Sequence, residues 1–345
     1  MPLLQLIKMD KDQFENFINE EHDLKWLVNQ YSKNKRIMNW AVDTGDLDIV
    51  KWCHEYIKNS RIFAAMDYAA RHSLFEEESF IPNWEYAWYE RSIDNAAANG
   101  NLEIVKWLHE NRPEGCTVKA MNLAARNGHL DVVKWLHHNR TEGCTVEAMN
   151  EAAGNGHLDV VKWLHKYRTE GCTVDAMDIA ARNGLLYVVK WLHKNRKEGC
   201  TIEAMNKAAC YGHLEMVKWL HKHENIECST KTMHLAARNG HLELVKWLHK
   251  NKNIDCSIET MNDVAANGFL DVLKWLHKNK TGGCTSEAME NAARNGHLDV
   301  VKWLYKHRTK DCTIDDIDVE QVIEEAKLVG YFDIIKWLRV HQEIQ

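Results

Sequence analysis

From residue 93 onward the chain repeats one pattern of apolar and polar positions, and residues 117–141 show it. Val118, Met121, Ala124 and Ala125 recur at helical spacing, which predicts the buried face of a first helix. Thr117 precedes them where an N-cap accepts a first-turn N–H. Gly128 follows where a left-handed C-terminal cap is needed. Leu130, Val133 and Leu136 then mark the buried side of a second helix that starts near His129, and Asp131 suits the dipole of its first turn. The loop Arg140-Thr141-Glu142-Gly143-Cys144 returns the chain to the next N-cap, Thr145.

Trp107, Trp135, Trp163, Trp191, Trp219, Trp247, Trp275 and Trp303 are spaced by 28 residues without a slip, so eight regular units tile 93–316. A fixed period of this size is the signature of a solenoid. One pair of helices cannot bury its apolar face alone, whereas stacked neighbours can. The expected fold is therefore all-α, a solenoid of stacked helix-turn-helix units. The pattern weakens outside that block. Residues 37–92 read as two divergent units, the second carrying FEEESFIPNWEYAWYE in place of its usual second half. Residues 1–36 read as an N-terminal helical cap or partial unit. Residues 317–345 read as a divergent C-terminal cap, in which Gly330 to Trp337 comes six residues late. A polar outer face is expected at such ends.

The segment Ala124-Ala125-Arg126-Asn127-Gly128-His129-Leu130-Asp131-Val132-Val133-Lys134-Trp135-Leu136 resembles an ankyrin repeat, and the resemblance recurs in register over 38–339. These units run 28 residues, shorter than usual for that family. Openings such as Thr145-Val146-Glu147-Ala148-Met149 replace the family's Thr-Pro-Leu-His. The missing residues fall in the β-hairpin fingers, so the fingers are expected to be shortened or absent. The resemblance implies protein binding through a concave face, with no catalysis and no cofactor.

Composition narrows the function classes. The 345 residues carry a net charge of -6 with both signs interspersed, which lacks the basic footprint of a nucleic-acid binder. No apolar run approaches the roughly 18 residues of a membrane span. MPLLQLIKMDKDQF lacks the basic start and long apolar core of a signal peptide. With no export signal, the ten cysteines read as reduced thiols. A cytoplasmic or nuclear, non-secreted protein is expected.

Three ladders of chemistry-capable residues accompany the period. Cys116, Cys144, Cys172, Cys200, Cys228, Cys256, Cys284 and Cys312 occur once per unit. Packed helices lie about 8–10 Å apart, beyond the roughly 7 Å that a disulfide spans. His129, His157, His213, His241 and His297 form one histidine ladder, expected to cap the second helix. His109, His137, His165, His193, His221, His249 and His277 form another, expected to pack near its end. Within a unit the two lie about 12 Å apart along a helix, too far for one zinc ion. The tryptophans are expected in inter-unit packing. There is no phosphate-binding glycine loop and no nucleophile elbow. The residues therefore point to no catalytic site, no metal site and no small-molecule substrate.

Specificity should lie where units differ. Three columns of the first helix vary and share one stripe, because successive members are four or three residues apart. Along the array they read Lys119, Leu123, Arg126; Glu147, Glu151, Gly154; Asp175, Ile179, Arg182; Glu203, Lys207, Cys210; Lys231, Leu235, Arg238; Glu259, Asp263, Ala266; Glu287, Asn291, Arg294. Leu123, Ile179 and Leu235 are expected to be exposed apolar anchors in a charged surround, which suits a protein partner. Phe80, Trp84, Tyr86, Trp88 and Tyr89 within 76–92 make a second candidate surface. The expected function is a non-catalytic scaffold or adaptor, monomeric, binding one or more proteins. The alternatives are single-stranded nucleic-acid binding along the Trp ladder and a thiol or metal-binding array.

Overall fold

The computed structural model describes residues 42–43, 45–48, 50–51, 92–111, 115–224, 226–252, 254–279, 285–307 and 319–342. The expected N-terminal cap and the aromatic segment 76–91 lie outside the described residues. Among the described residues there are eighteen α-helices and no strand. None of these helices is long and apolar enough to cross a membrane.

The chain divides into two compact units, 1–145 and 146–345. The first holds α1 (Ser92–Ala98), α2 (Leu102–Asn111), α3 (Val118–Arg126) and α4 (Leu130–Asn139). The second holds α5 (Val146–Gly154), α6 (Leu158–Tyr167), α7 (Asp175–Arg182), α8 (Leu186–Asn195), α9 (Ile202–Cys210) and α10 (Leu214–His223). It continues with α11 (Thr230–Arg238), α12 (Leu242–Lys252), α13 (Ile258–Ala266), α14 (Leu270–Lys278), α15 (Ser286–Arg294) and α16 (Leu298–Lys306). It ends with α17 (Val319–Val329) and α18 (Phe332–Gln342). Odd-numbered helices are first helices and even-numbered ones second helices. In each unit a hairpin packs on the next, with first helix against first helix.

The sequence explains each hairpin. Thr117 and Thr201 accept Lys119 N–H and Glu203 N–H at 3.1 Å, which satisfies first-turn donors. At the other end of α3, His129 N–H reaches Ala124 O at 2.9 Å and Gly128 N–H reaches Ala125 O at 3.2 Å. This double closure is a Schellman motif, and it puts Gly128 at φ 82°, where a Cβ would be strained. Ala120, Met121, Ala124 and Ala125 are buried, so neighbouring first helices meet on small side chains. Val118 was expected on that face but is exposed, because it stands in the first turn away from the neighbouring helices. The second helices bury Val132, Val133 and Leu136 and their equivalents, each contributing about 1.5–3 kcal/mol. Leu130 is only half-buried.

The connecting loops show what replaces the fingers. Arg140 and Glu142 form an ion pair inside the loop, and Arg140 Nε donates to Glu142 Oε2 at 3.2 Å. Glu142 also accepts Cys116 N–H from the preceding loop at 3.4 Å. Arg168 with Glu170 and Arg196 with Glu198 repeat the ion pair in the second unit.

At the C-terminal end, three columns normally turned toward a following repeat become charged. Glu324, Lys327 and Arg339 stand where Asn122, Ala125 and His137 stand in a regular unit, and Lys327 pairs with Glu324. The hairpin turn beside these charges is apolar. Leu328, Val329 and Phe332 are exposed, at 80%, 52% and 75%, where regular units place Arg, Asn and Leu.

Candidate functional site

One column that the repeat analysis passed over ties the hairpins together. The residue after Met121 and its equivalents is polar yet buried: Asp94, Asn122, Asn150, Asp178, Asn206 and Asn262. Each faces the N-cap of the next hairpin. Thr117 donates its N–H and hydroxyl to Asp94 at 2.9 and 2.7 Å. Thr145 gives its N–H to Asn122 at 3.0 Å and takes the amide at 2.8 Å. In the second unit Thr173 does the same with Asn150, at 2.9 and 2.8 Å. Thr201 bonds Asp178 at 2.9 and 2.5 Å. Where Ser229 and Ser257 replace the capping threonine, the bridging hydroxyl moves three residues on. Thr232 then donates to Asn206 at 3.1 Å, and Thr260 meets His234 at 3.0 Å. The signal was legible: an invariantly polar position next to the buried Met, and Ser–Thr where other units have Thr–Ala.

The histidines and tryptophans are likewise scaffold. His129 stands at the N-cap of α4 but makes no side-chain cap bond, contrary to expectation. Its Nε2 lies 3.1 Å from Ala98 O at the end of the preceding first helix. In the second unit His213 and His241 reach Arg182 O and Cys210 O at 3.0 and 2.8 Å. Leu185 replaces the histidine in one hairpin, and there the Tyr187 hydroxyl donates to Gly156 O at 2.8 Å instead. The second ladder sets His109, His165, His193, His221, His249 and His277 edge-on to the next Trp. The centroids are 5.2 Å apart for His109–Trp135 and 5.3 Å for His165–Trp191. His223 and His307 also stack on Trp219 and Trp303, at 4.9 and 4.5 Å. Trp219 and Trp303 thus each have one ring face covered by a histidine of this chain.

Seven described cysteines are free thiols. Burial pushes the thiols of Cys116, Cys200 and Cys256 up to about 12, aided by Glu142, Glu224 and Asp255 respectively. Among the described residues no three His, Cys, Asp or Glu side chains gather as a metal ion would require.

The stripe remains. Its charged members reach solvent: Lys119, Arg126, Glu147, Asp175, Arg182, Lys207, Lys231, Arg238, Glu259, Glu287 and Arg294 are exposed. Glu151, Glu203, Asp263 and Asn291 are half-buried. Leu123, Ile179 and Leu235, expected to be exposed, are half-buried as well. Gly154 supplies the reason for Ile179: a Cβ on that glycine would lie 2.5 Å from Ile179 Cγ2. The sixth position of one repeat thus abuts the third position of the next, 25 residues on. The register holds for charges too, with Arg238 Nε 3.6 Å from Asp263. Arg294 Nε lies 2.8 Å from Glu325, across the longer final connection. Lys231 adds a bridge to Glu203 at 3.3 Å, and together with Asn206 it holds that carboxyl below its usual range. A cleft of about 600 Å³ opens between α11 and the start of α13, lined by Lys231, His234, Cys256 and Glu259.

No curated protein matches the chain. Residues 93–178 and 177–260 match the family described as Ankyrin repeats (3 copies). The stacked hairpins between residues 93 and 260 are ankyrin repeats.

Proposed function

We propose that this chain is a non-catalytic adaptor that binds one or more proteins through the first-helix stripe. Ankyrin repeats are generally protein–protein interaction modules, and their all-helical fold is typically non-enzymatic. The observation that carries the reading is the division of labour inside each hairpin. The recurring Asn/Asp, Thr, His, Trp and Cys side chains are consumed by repeat-to-repeat contacts. The stripe combines variation between repeats with access to solvent along successive first helices. Nucleic-acid binding along the Trp ladder is disfavoured, because histidines of the same chain pack against those rings.

The test is capture of partners from native lysate with two folded variants matched in charge. One carries Lys231→Ala, Glu259→Ala and Arg294→Ala on the stripe. The other carries Lys162→Ala, Lys190→Ala and Glu243→Ala on second helices. A protein held by wild type and the second variant but lost by the first supports the reading. Identical catches with all three overturn it.

A further inference from the structure

The third-to-sixth register makes it possible to ask whether each pair of repeats is complementary across the stripe. In the first unit Ala98 sits opposite Leu123, small against large. In the second unit Gly154 receives Ile179. The same 25-residue register sets Cys210 against Leu235 and Ala266 against Asn291, again small against large. Arg238 meets Asp263, and Arg294 meets Glu325. One pair breaks the rule: Arg182 is set against Lys207, a cation against a cation.

Among the described residues no ion pair joins Arg182 to a carboxylate, and its guanidinium carbon lies 5.7 Å from the centre of the exposed Tyr211 ring. Asp178, one turn earlier in α7, gives both oxygens to Thr201. Glu203, one turn before Lys207 in α9, feels the Lys207 charge but gives its hydrogen bonds to Lys231 at 3.3 Å and Asn206 at 3.4 Å. Tyr211 is itself fixed. Its ring stacks on His213 at 6.4 Å, and His213 bonds Arg182 O. Two exposed cations, one laid over a held aromatic face, form a receptor for an anion with an apolar flank.

We propose that Arg182 and Lys207 receive a carboxylate from a partner protein, an Asp or Glu in an extended acidic segment, with Tyr211 packing against the residue beside it. The partner's carboxylate takes the place that Asp263 and Glu325 fill in other repeat pairs. The site rests on the protein-binding reading above and names the chemistry of one contact within it.

The full chain is panned against a display library of short random peptides, and the enriched peptides are labelled and titrated by fluorescence polarisation. The expected result is enrichment of Asp and Glu. Changing the essential carboxylate in the peptide to its amide should weaken binding about tenfold, roughly the cost of one charge-assisted contact. Lys207→Glu supplies an internal partner for Arg182. It should keep the helical circular dichroism and thermal midpoint of the wild type while losing peptide binding. Lys207→Ala should bind with intermediate affinity, and Lys190→Glu on α8 should bind like wild type. Peptides without acidic enrichment, or acidic peptides that bind Lys207→Glu as tightly as wild type, would overturn the site. If such peptides are still lost on the Lys231, Glu259 and Arg294 stripe variant, protein binding stands and only this contact falls. Failure to enrich any peptide also counts against the site, whereas the adaptor reading is judged by capture.

Discussion

The buried Asn–Thr bridge makes a quantitative prediction at Asn150. This side chain is 6% exposed, and its amide both accepts the Thr173 N–H and donates to the Thr173 hydroxyl. Asn150→Ala removes two hydrogen bonds, each contributing about 1 kcal/mol net, and leaves a partly buried N–H without a partner. The expected cost is about 2–3 kcal/mol. If 146–345 unfolds as a unit, that lowers its midpoint by roughly 5–10 °C. Asn150→Asp is the informative control. Asp178 already occupies the equivalent place, with the Thr201 hydroxyl turned to donate, so the aspartate should cost less than about 1 kcal/mol near neutral pH. Urea unfolding gives the energies, and hydrogen exchange at the Thr173 amide reads the site directly. An alanine variant within about 0.5 kcal/mol of wild type, or an aspartate as costly as the alanine, would refute the bridge as a source of stability.

Further predictions follow from the same geometry. Gly212→Ala should cost about 2–4 kcal/mol, because Gly212 has φ 75° and a Cβ there would lie 2.4 Å from His241 Nδ1. A thermal midpoint unchanged from wild type would contradict it. Cys116, Cys200 and Cys256, with thiols near 12, should react with a thiol reagent at pH 8 about a thousandfold more slowly than an ordinary cysteine. Mass mapping of alkylated native protein checks this, and rapid labelling at those sites would refute it. Burial, the largest single influence, would raise the Glu142 carboxyl, but the hydrogen bond from Arg140, its charge and backbone N–H donors together outweigh burial and hold the group down at about 2. A depressed carboxyl stabilises the fold above its unfolded value near 4.5, and that contribution is lost as pH falls toward 2. Wild type should therefore exceed Glu142→Gln by up to about 3 kcal/mol at neutral pH, with the gap closing in acid. A gap independent of pH would contradict it.

Much of the fold was legible in the sequence because the period did the reading. The Trp ladder set the register, Gly128 and its equivalents marked the turns, and the Met–Ala–Ala pattern marked the buried face. The finger-free loops followed from the short unit, and the structure shows them tied by Arg140 and Glu142. Three points were not legible from helical spacing alone. Asn122 and its column were passed over because a polar residue on a helix reads as solvated until the neighbouring Thr145 is placed beside it. His129 was assigned to its own helix, although its ring bonds the repeat before. Ile179 was read as an exposed anchor because its partner, Gly154, lies 25 residues away and has no side chain to announce the contact. In each case the missing information was contact between repeats. A single-helix projection does not contain it.

The most direct test of the adaptor reading is side-chain footprinting of the full chain with and without a captured partner. Tyr211 lies beside Arg182 at the edge of the stripe, whereas Trp163 and Trp191 lie on second helices. The account predicts that a bound partner shields Tyr211 and the stripe residues of α7, α9 and α11 from oxidation and leaves Trp163 and Trp191 unchanged. Shielding confined to the second-helix tryptophans, with the stripe as reactive as in the free protein, would contradict it.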